Sequence, residues 1–278
     1  MDNAVVTLCN ERLSYVQAAM SLFYSAKNYG KWQGKYVLLG YKLSSGTIDM
    51  FESRGVKVVN ITQDVFPNIR GRHRHDEFSR IVYCKYLLFS DHFKDYGKTI
   101  FFDADSMVLD DISPLLEVKT FGACCYKSFD FTFKEAKDCY GTNNHMPEYQ
   151  ELHRNYDTES KLFGAGTMVI DNSLVKDENY QALLDLTGKY GHLSSLPEES
   201  ILNLFALGLD RTNLDFNYDH VVTGKLKASG KVKVVHVLHP KPWEGQSAYH
   251  ERFEDNHKKF LYQFQGEGFK KLHGFTKL

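Results

Sequence analysis

Several features that mark other classes of protein are missing from this 278-residue sequence. Its formal net charge is only -1, so no general positive field attracts nucleic acid. No apolar run approaches the length that a membrane-spanning helix needs. The five cysteines lack zinc-binding spacing and an even-numbered disulfide framework, and the first residues lack a secretory signal pattern. We therefore expect reduced thiols and a cytoplasmic protein without a membrane span.

Short apolar segments alternate with amphipathic ones along the chain. The pattern predicts strands at residues 4–8, 36–39 and 56–59 and helices at 13–29 and 44–54. Strands that alternate with helices form a mostly parallel, twisted, Rossmann-like sheet with helices on both faces. Because no composition break marks a linker, we expect an α/β fold with one domain at residues 1–248. A helical tail at 249–278 is expected to pack on that domain. Later segments predict helices at 77–93, 177–190, 198–207 and 252–264, strands at 121–126, 162–170 and 231–237, and a loop at 129–156.

An apolar strand leads into two carboxylates one residue apart, Asp103 and Asp105, within Thr99-Ile-Phe-Phe-Asp-Ala-Asp-Ser-Met-Val-Leu109. In an extended strand both side chains would point to one side, where their charges repel unless a cation lies between them. The pattern therefore favours a hard divalent metal that keeps positions open for phosphate oxygens. A capped strand end with an Asp-rich turn is the structural alternative, since Asp110 and Asp111 follow closely.

A second polar cluster follows the predicted strand at residues 231–237. It reads His236-Val-Leu-His-Pro-Lys-Pro-Trp243, and its two prolines and tryptophan restrict the backbone around Lys241. A fixed ammonium beside a metal site is suited to neutralise a diphosphate as it leaves. Taken alone, His236 is more simply a half-buried strand residue than a metal ligand.

Together these motifs resemble those of the family 8 glycosyltransferases, and among them the glycogenin-like branch. The resemblance extends from Ala4 to Trp243 and rests on four separated motifs in the expected order. It implies the GT-A fold, a UDP-sugar donor, Mn²⁺ with Mg²⁺ as the alternative ion, and transfer with retention of anomeric configuration. By the same analogy the protein is expected to form a homodimer.

The resemblance also implies roles for individual residues. Asp103 and Asp105 match the carboxylates of the family's Asp-x-Asp motif, which hold the metal. The backbone of Ala104 is expected to approach the ribose, and His236 matches the third metal ligand. Lys241, in Lys-Pro-Trp, matches the lysine that contacts the donor diphosphate. Further donor-binding residues implied by the match are Thr7, Leu8, Asn10, Tyr15 and Arg80.

Three departures from the family pattern concern the sugar and phosphate positions. The donor-binding glycine turn reads Phe163-Gly164-Ala165-Gly166, without the family's preceding Asn. The family's Asp-Gln is Glu198-Glu199 here, and these carboxylates are expected at the reaction centre with Lys241. His239 lies near the position of a glycine in a phosphate loop that is one residue shorter than usual, and it is expected to face the donor.

These features predict a metal-dependent hexosyltransferase that moves glucose or galactose from a UDP-sugar to a hydroxyl of a glycan or glycoprotein. One alternative is a self-glucosylating primer enzyme of the glycogenin type. Another is a nucleotide-sugar-binding protein that has lost transfer. Haloacid-dehalogenase-like phosphatases also place Asp-x-Asp after an apolar strand. They place it on the first strand, however, with Thr or Val where Met107 stands here.

Overall fold

The structure, a computed structural model, describes residues 1–65, 80–127, 147–157, 159–194, 196–224, 227–228 and 230–263. Within these residues the strands are β1 (Asp2–Asn10), β2 (Lys35–Tyr41), β3 (Val56–Ile61), β4 (Tyr96–Phe102), β5 (Ser106–Val108), β6 (Phe121–Lys127), β7 (Leu162–Asp171), β8 (Arg211–Asn213), β9 (His220–Thr223) and β10 (Val234–His239). The α-helices for which the structure gives bounds are α1 (Leu13–Asn28), α2 (Ser45–Glu52), α3 (Pro147–Asn155), α4 (Asp177–Tyr190), α5 (Pro197–Ala206) and α6 (His250–Gln263).

Seven strands form the central sheet in the order β3-β2-β1-β4-β7-β6-β8. The pairs β1–β2, β2–β3, β1–β4 and β6–β8 are parallel, whereas β7 runs antiparallel to both β4 and β6. In open sheets of this kind, ligands bind beyond the carboxyl ends of the parallel strands. The carboxyl ends of β1 and β4 lead to Asn10 and Asp103, respectively, and therefore bring the predicted nucleotide and metal residues to one edge.

Alternate residues of the sheet strands enter two separate apolar layers. In β1, Ala4 and Val6 join the layer that contains α4 and α5, whereas Val5 joins the layer that contains α1 and α6. This division follows from the two-residue period of a strand, which turns successive side chains to opposite faces. Helices therefore cover both faces of the sheet, as the sequence predicts.

A small second sheet in the order β5-β10-β9 lies beside the turn after β4. Strands β5 and β10 are antiparallel, and His236 is directly opposite Ser106. Because Ser106 follows Asp105 in the chain, this register brings His236 beside the two carboxylates. The pairing joins residues that are 130 positions apart in sequence.

Helix α6 packs on the same body as α1 and α2. Phe260 is fully buried, and its ring centroid lies 5.9 Å from that of Phe51 in α2. The Arg252 guanidinium lies 5.3 Å from the ring centroid of Tyr29, just beyond α1. The boundary at residues 248 and 249 stays a prediction. Among the described helices, none combines the length and apolar character required to cross a bilayer.

The structure differs from the sequence-based predictions in three places. Within the predicted helix at residues 77–93, Tyr83–Phe89 form a 3₁₀ helix in which every side chain is buried. Runs of 3₁₀ helix longer than three or four residues are uncommon. We infer that packing of the seven buried side chains stabilises this conformation. The predicted loop at 129–156 contains α3, and its residues 129–146 lie outside the described residues. Strands β5, β8 and β9 have three, three and four residues, which is too short to show a period.

Candidate active site

The predicted acidic pair lies in the turn that follows β4. The Asp103 N–H donates to the Gly166 carbonyl over 2.8 Å, and the Ser106 N–H donates to the Asp103 carbonyl over 2.9 Å. The Asp105 carbonyl accepts from the Val237 N–H over 3.1 Å. Backbone bonds to β7 and β10 therefore fix both carboxylates on a rigid turn, which is the first requirement of a preorganised site.

His236 completes a cluster with these carboxylates. Its Nε2 atom lies 3.2 Å from Asp105 Oδ1 and 3.8 Å from Asp103 Oδ2. One ligand atom from each of the three residues falls within 4.8 Å of the others. Two carboxylate oxygens and one imidazole nitrogen are a suitable donor set for Mn²⁺, and they leave coordination positions for a substrate.

Asp219 fixes the orientation of the histidine. It is fully buried, and its Oδ1 lies 3.2 Å from His236 Nδ1. When the Nδ1–H group of the neutral ring donates a hydrogen bond to this carboxylate, Nε2 carries the lone pair and can bind a metal. Gly166 leaves the room for this ring, because a Cβ there would lie 2.5 Å from His236 Nδ1. The residues present therefore fit a divalent metal.

The charges of the cluster are balanced by neighbouring cations. Burial opposes the charged form of His236, but the Asp105 and Asp219 carboxylates raise its pKa well above the ordinary value. Burial also opposes ionisation of Asp105, yet His236 and Lys241 hold its pKa below the usual range. Lys241 contacts Asp105 directly through Nζ and Oδ2. Burial raises the pKa of Asp103. The turn therefore favours positive charge at the point where the two carboxylates meet.

Lys85 links the cluster to the predicted reaction centre. Its side chain is 3% exposed, and its Nζ lies 2.9 Å from Asp103 Oδ1 and 2.8 Å from Glu198 Oε1. Burial disfavours the ammonium, but Asp103 and Glu198 raise the pKa of Lys85 above its ordinary value. Lys85 is not among the residues predicted from sequence. One pattern could have indicated it: a lone lysine within the otherwise apolar Tyr83-Cys-Lys-Tyr-Leu-Leu-Phe89, since a buried ammonium needs an anionic partner.

Glu199 lies in the first turn of α5, which begins at Pro197. Its Oε2 accepts from the Ala165 N–H over 2.9 Å, and its Oε1 contacts the Lys127 ammonium. Burial raises the pKa of Glu199, and Lys127 opposes this rise. The carboxylate is therefore held between β6, β7 and α5.

A cavity of about 790 Å³ lies at this edge of the sheet. It has the size of a small-ligand site. Most of the predicted site residues line this cavity: Leu8, Asn10, Tyr15, Asp103, Ala104, Asp105, Gly164, Gly166, Glu198, Glu199, His236 and Lys241.

Four selected residues do not line this cavity. Thr7 is fully buried, and His239 is exposed. Arg80 is paired with Asp64, with 2.9 Å between Nη1 and Oδ2. Ala165 takes part through its backbone, whose N–H donates to Glu199 and whose carbonyl accepts from Lys85 Nζ over 3.3 Å. Donor contacts of these four residues stay predictions.

An aromatic pair lies at the end of the cavity where the sequence predicts nucleotide binding. The ring centroids of Tyr15 and Trp243 are 4.9 Å apart, and the Arg12 guanidinium lies 5.9 Å from the Tyr15 ring centroid. Tyr15 and Arg12 also line the cavity. A flat aromatic face beside cationic groups is suited to a nucleotide, whose base stacks and whose phosphates carry negative charge.

Asp219, Lys127 and Tyr126 join the site without having been selected from sequence. Lys127 and Tyr126 line the cavity at the end of β6, where the Tyr126 hydroxyl would meet a Cβ on Gly164 at 2.3 Å. Asp219 precedes the four-residue strand β9, and no local pattern distinguishes it from other acidic residues. These roles depend on contacts between distant segments.

Comparison with known sequences identifies the family. The sequence model of Glycosyl transferase family 8 matches residues 12–247, which is most of the chain. The chain belongs to glycosyl transferase family 8. No curated protein sequence matches this family 8 chain. The glycogenin-like branch within the family stays a prediction.

Solved structures show the same fold at low sequence identity. An active-site mutant of LgtC superposes with a TM-score of 0.68 and 14% identity, over 92% of this chain and 95% of that one. The galactosyltransferase LgtC in complex with donor and acceptor sugar analogs gives a TM-score of 0.63 and 13% identity, over 97% and 100%. The bifunctional glycosyltransferase WbbM gives 0.64 and 19%, over 95% of this chain and 52% of that one. The family 8 chain therefore has the GT-A fold.

Proposed function

We propose that this family 8 protein transfers a hexose, glucose or galactose, from a UDP-sugar to a hydroxyl with retention of configuration. The observation that carries the proposal is the cluster of Asp103, Asp105 and His236 at a cavity that Lys241 and Glu199 also line. Family membership supports glycosyl transfer, and the cluster supports a donor that brings a diphosphate.

Asp103, Asp105 and His236 would hold Mn²⁺, which would supply positive charge to the oxygens of the leaving diphosphate. Mg²⁺ is the alternative ion, but an imidazole ligand suits Mn²⁺ better. The ammonium of Lys241 is placed to provide a second, fixed charge for the same oxygens. Asp219 Oδ1, 3.2 Å from His236 Nδ1, would hold the ring proton on Nδ1 when Nε2 binds the metal. Each group therefore favours departure of UDP, the step in which negative charge develops.

The sugar end of the site contains Glu198 and Glu199, where the family pattern has Asp-Gln. Breaking the bond to UDP gives an oxocarbenium-like centre, which a nearby carboxylate stabilises electrostatically. Both oxygens of Glu199 are bonded, one to Lys127 and one to Ala165, and this favours stabilisation over covalent attack. In this proposal the acceptor hydroxyl attacks the same face from which UDP departs, and no protein nucleophile is required.

The acceptor is proposed to be a glycan or glycoprotein. Tyr126 lines the cavity and is 41% exposed, and its ring centroid lies 5.6 Å from that of Phe216, which is 42% exposed. The Phe216 ring also lies 5.1 Å from that of His220. Exposed aromatic rings beside a cavity offer apolar faces against which sugar rings pack. LgtC, with the same fold, was crystallised with an acceptor sugar analog.

Calorimetric titration of UDP with and without Mn²⁺ tests the nucleotide and metal parts of the proposal. We expect binding that needs Mn²⁺ in the native protein and is lost in Asp105→Asn. Asp171→Asn, which changes a carboxylate paired with Lys98 at 2.7 Å, is the matched control and should bind normally. Equal UDP binding by Asp105→Asn and the native protein would show that the metal assignment is wrong.

Self-glucosylation is the alternative use of the same site. Intact mass measured after incubation with UDP-glucose and Mn²⁺ distinguishes the two reactions. We expect an unchanged mass, because we propose a separate acceptor, whereas a ladder of hexose additions would establish self-transfer. Light scattering on the same sample tests the homodimer that the family analogy predicts. A protein that binds UDP-sugars but releases no UDP would be the non-catalytic alternative.

A further inference from the structure

Strand β7 directs part of its backbone hydrogen bonding to side chains of α5. The register between β6 and β7 shifts between Ala123 and Cys125 and again before Lys127. In this stretch the Phe163 N–H donates to Asn203 Oδ1 over 2.8 Å, and the Phe163 carbonyl accepts from Asn203 Nδ2 over 2.9 Å. Pairing between β4 and β7 covers only Thr167 to Asp171, so the side chains of α5 complete the hydrogen bonding of β7 in the stretch before Thr167, where β6 remains a neighbour.

Glu199 is a second side chain of α5 that bonds to the β7 backbone, two residues beyond Phe163. Its Oε2 accepts from the Ala165 N–H, and the Asn203 side chain also binds the Glu199 carbonyl at 2.9 Å. The glutamate side chain is only 12% exposed. An anion so deeply placed needs a cation, because desolvation of an unpaired carboxylate is costly.

Lys127, the last residue of β6, supplies that cation. Its Nζ contacts Glu199 Oε1, and its side chain is 16% exposed. Both residues line the cavity. Because Oε1 faces the lysine and Oε2 faces a backbone N–H, the two contacts fix the plane of the carboxylate.

We propose that Lys127 is a positioning residue for the transferred sugar, and that it acts by holding the Glu199 carboxylate in a fixed orientation at the cavity wall. This inference rests on the proposed function. Lys127 and Glu199 act as one unit, so the type of residue required at one position depends on the residue at the other.

The donor and acceptor geometry shows why the two residues must match. A glutamine at 199 has one oxygen and one NH₂ group, but Lys127 and the Ala165 N–H both present donors. One donor would then face the NH₂ group and lose its acceptor. Replacing Lys127 by glutamine as well removes this conflict, since an amide oxygen at 127 accepts from the NH₂ group at 199.

Four proteins test the unit: the native protein, Lys127→Gln, Glu199→Gln and the double variant. With UDP-glucose and UDP-galactose we expect each single change to lower kcat for UDP release at least tenfold. The double variant should be at least tenfold faster than the product of the two single effects predicts. Lys127→Arg, which keeps the charge, should retain most of the rate. Effects that multiply without coupling, or a native rate in Lys127→Gln, would overturn the inference.

Binding measurements separate failure of this inference from failure of the proposed function. Affinity for UDP in the presence of Mn²⁺ should agree within about twofold in all four proteins, because the pair lies at the sugar end. If the native protein does not bind UDP, the proposed function is wrong. If the native protein binds UDP but releases none from any donor, the coupling is measured on binding instead of kcat. The quantity compared among the four proteins is then the affinity for the UDP-sugar divided by the affinity for UDP. The same coupling is then required, and its absence overturns the inference. Thermal unfolding of each variant confirms that it folds.

Discussion

The substitution Asp219→Asn isolates the role of a residue that contacts the candidate metal site through His236. The Asp219 carboxylate is fully buried and lies 3.2 Å from His236 Nδ1. An asparagine there can present its NH₂ group to Nδ1, which moves the ring proton to Nε2 and removes the lone pair that would bind a metal.

The expected loss of Mn²⁺ affinity follows from the position of Asp219 behind the histidine. Removing the outer partner of a metal-binding histidine typically lowers metal affinity about 10- to 100-fold, which is about 1.4 to 2.8 kcal/mol. The fold should survive, because asparagine has nearly the same volume as aspartate and carries no buried charge. Calorimetric titration of Mn²⁺ in the presence of UDP measures the affinity, and thermal unfolding without metal measures stability.

Asp215→Asn is the matched control. The Asp215 carboxylate accepts from the Asn217 N–H over 2.8 Å, a cap that asparagine can also provide. This variant should bind Mn²⁺ as the native protein does. If Asp219→Asn also binds Mn²⁺ with native affinity, His236 is not oriented by Asp219 and the account of the ligand geometry is refuted.

Three further substitutions test other parts of the structure. Gly166→Ala places a Cβ 2.6 Å from His236 Cε1, so it should cost about 1–3 kcal/mol of stability and lower Mn²⁺ affinity, as thermal unfolding and calorimetry will show. Native Mn²⁺ affinity in this variant would contradict the close packing. Phe216→Ala should raise the acceptor KM roughly three- to tenfold and leave the donor KM unchanged, and an unchanged acceptor KM would place the acceptor elsewhere. Phe260→Ala should lower the free energy of unfolding in urea by about 3–5 kcal/mol, because the ring is fully buried, whereas Tyr262→Ala, at 70% exposure, should have little effect. Equal effects of these two would show that α6 is not part of the core.

Local patterns predicted the elements that have a long apolar period. Helix α4 has the predicted bounds, β1 is two residues longer than predicted at each end, and β7 is one residue longer at its carboxyl end. The 3₁₀ helix at Tyr83–Phe89 was predicted as part of an α-helix, since its buried side chains resemble one apolar face in sequence. Strands of three or four residues have no measurable period, and β5, β8 and β9 are held by their partners.

Part of the candidate metal site was predictable, because two of its residues, Asp103 and Asp105, belong to one motif. Their third partner, His236, was selected through resemblance to the family and reaches them only because β10 pairs with β5. Asp219 and Lys127 act through tertiary contacts. Asp219 Oδ1 lies 3.2 Å from His236 Nδ1, and the Lys127 ammonium contacts the Glu199 carboxylate. Neither residue has a local pattern that distinguishes it from surface charges, so the structure was needed to find them.

Release of UDP from a panel of nucleotide sugars tests the central claim most directly. The native protein is incubated with Mn²⁺ and each donor, with Asp105→Asn and a chelator as controls. We predict UDP release from UDP-glucose or UDP-galactose that requires Mn²⁺, disappears in Asp105→Asn and increases with an acceptor glycan. No release from any UDP-sugar, together with no Mn²⁺-dependent binding of UDP, would contradict the account.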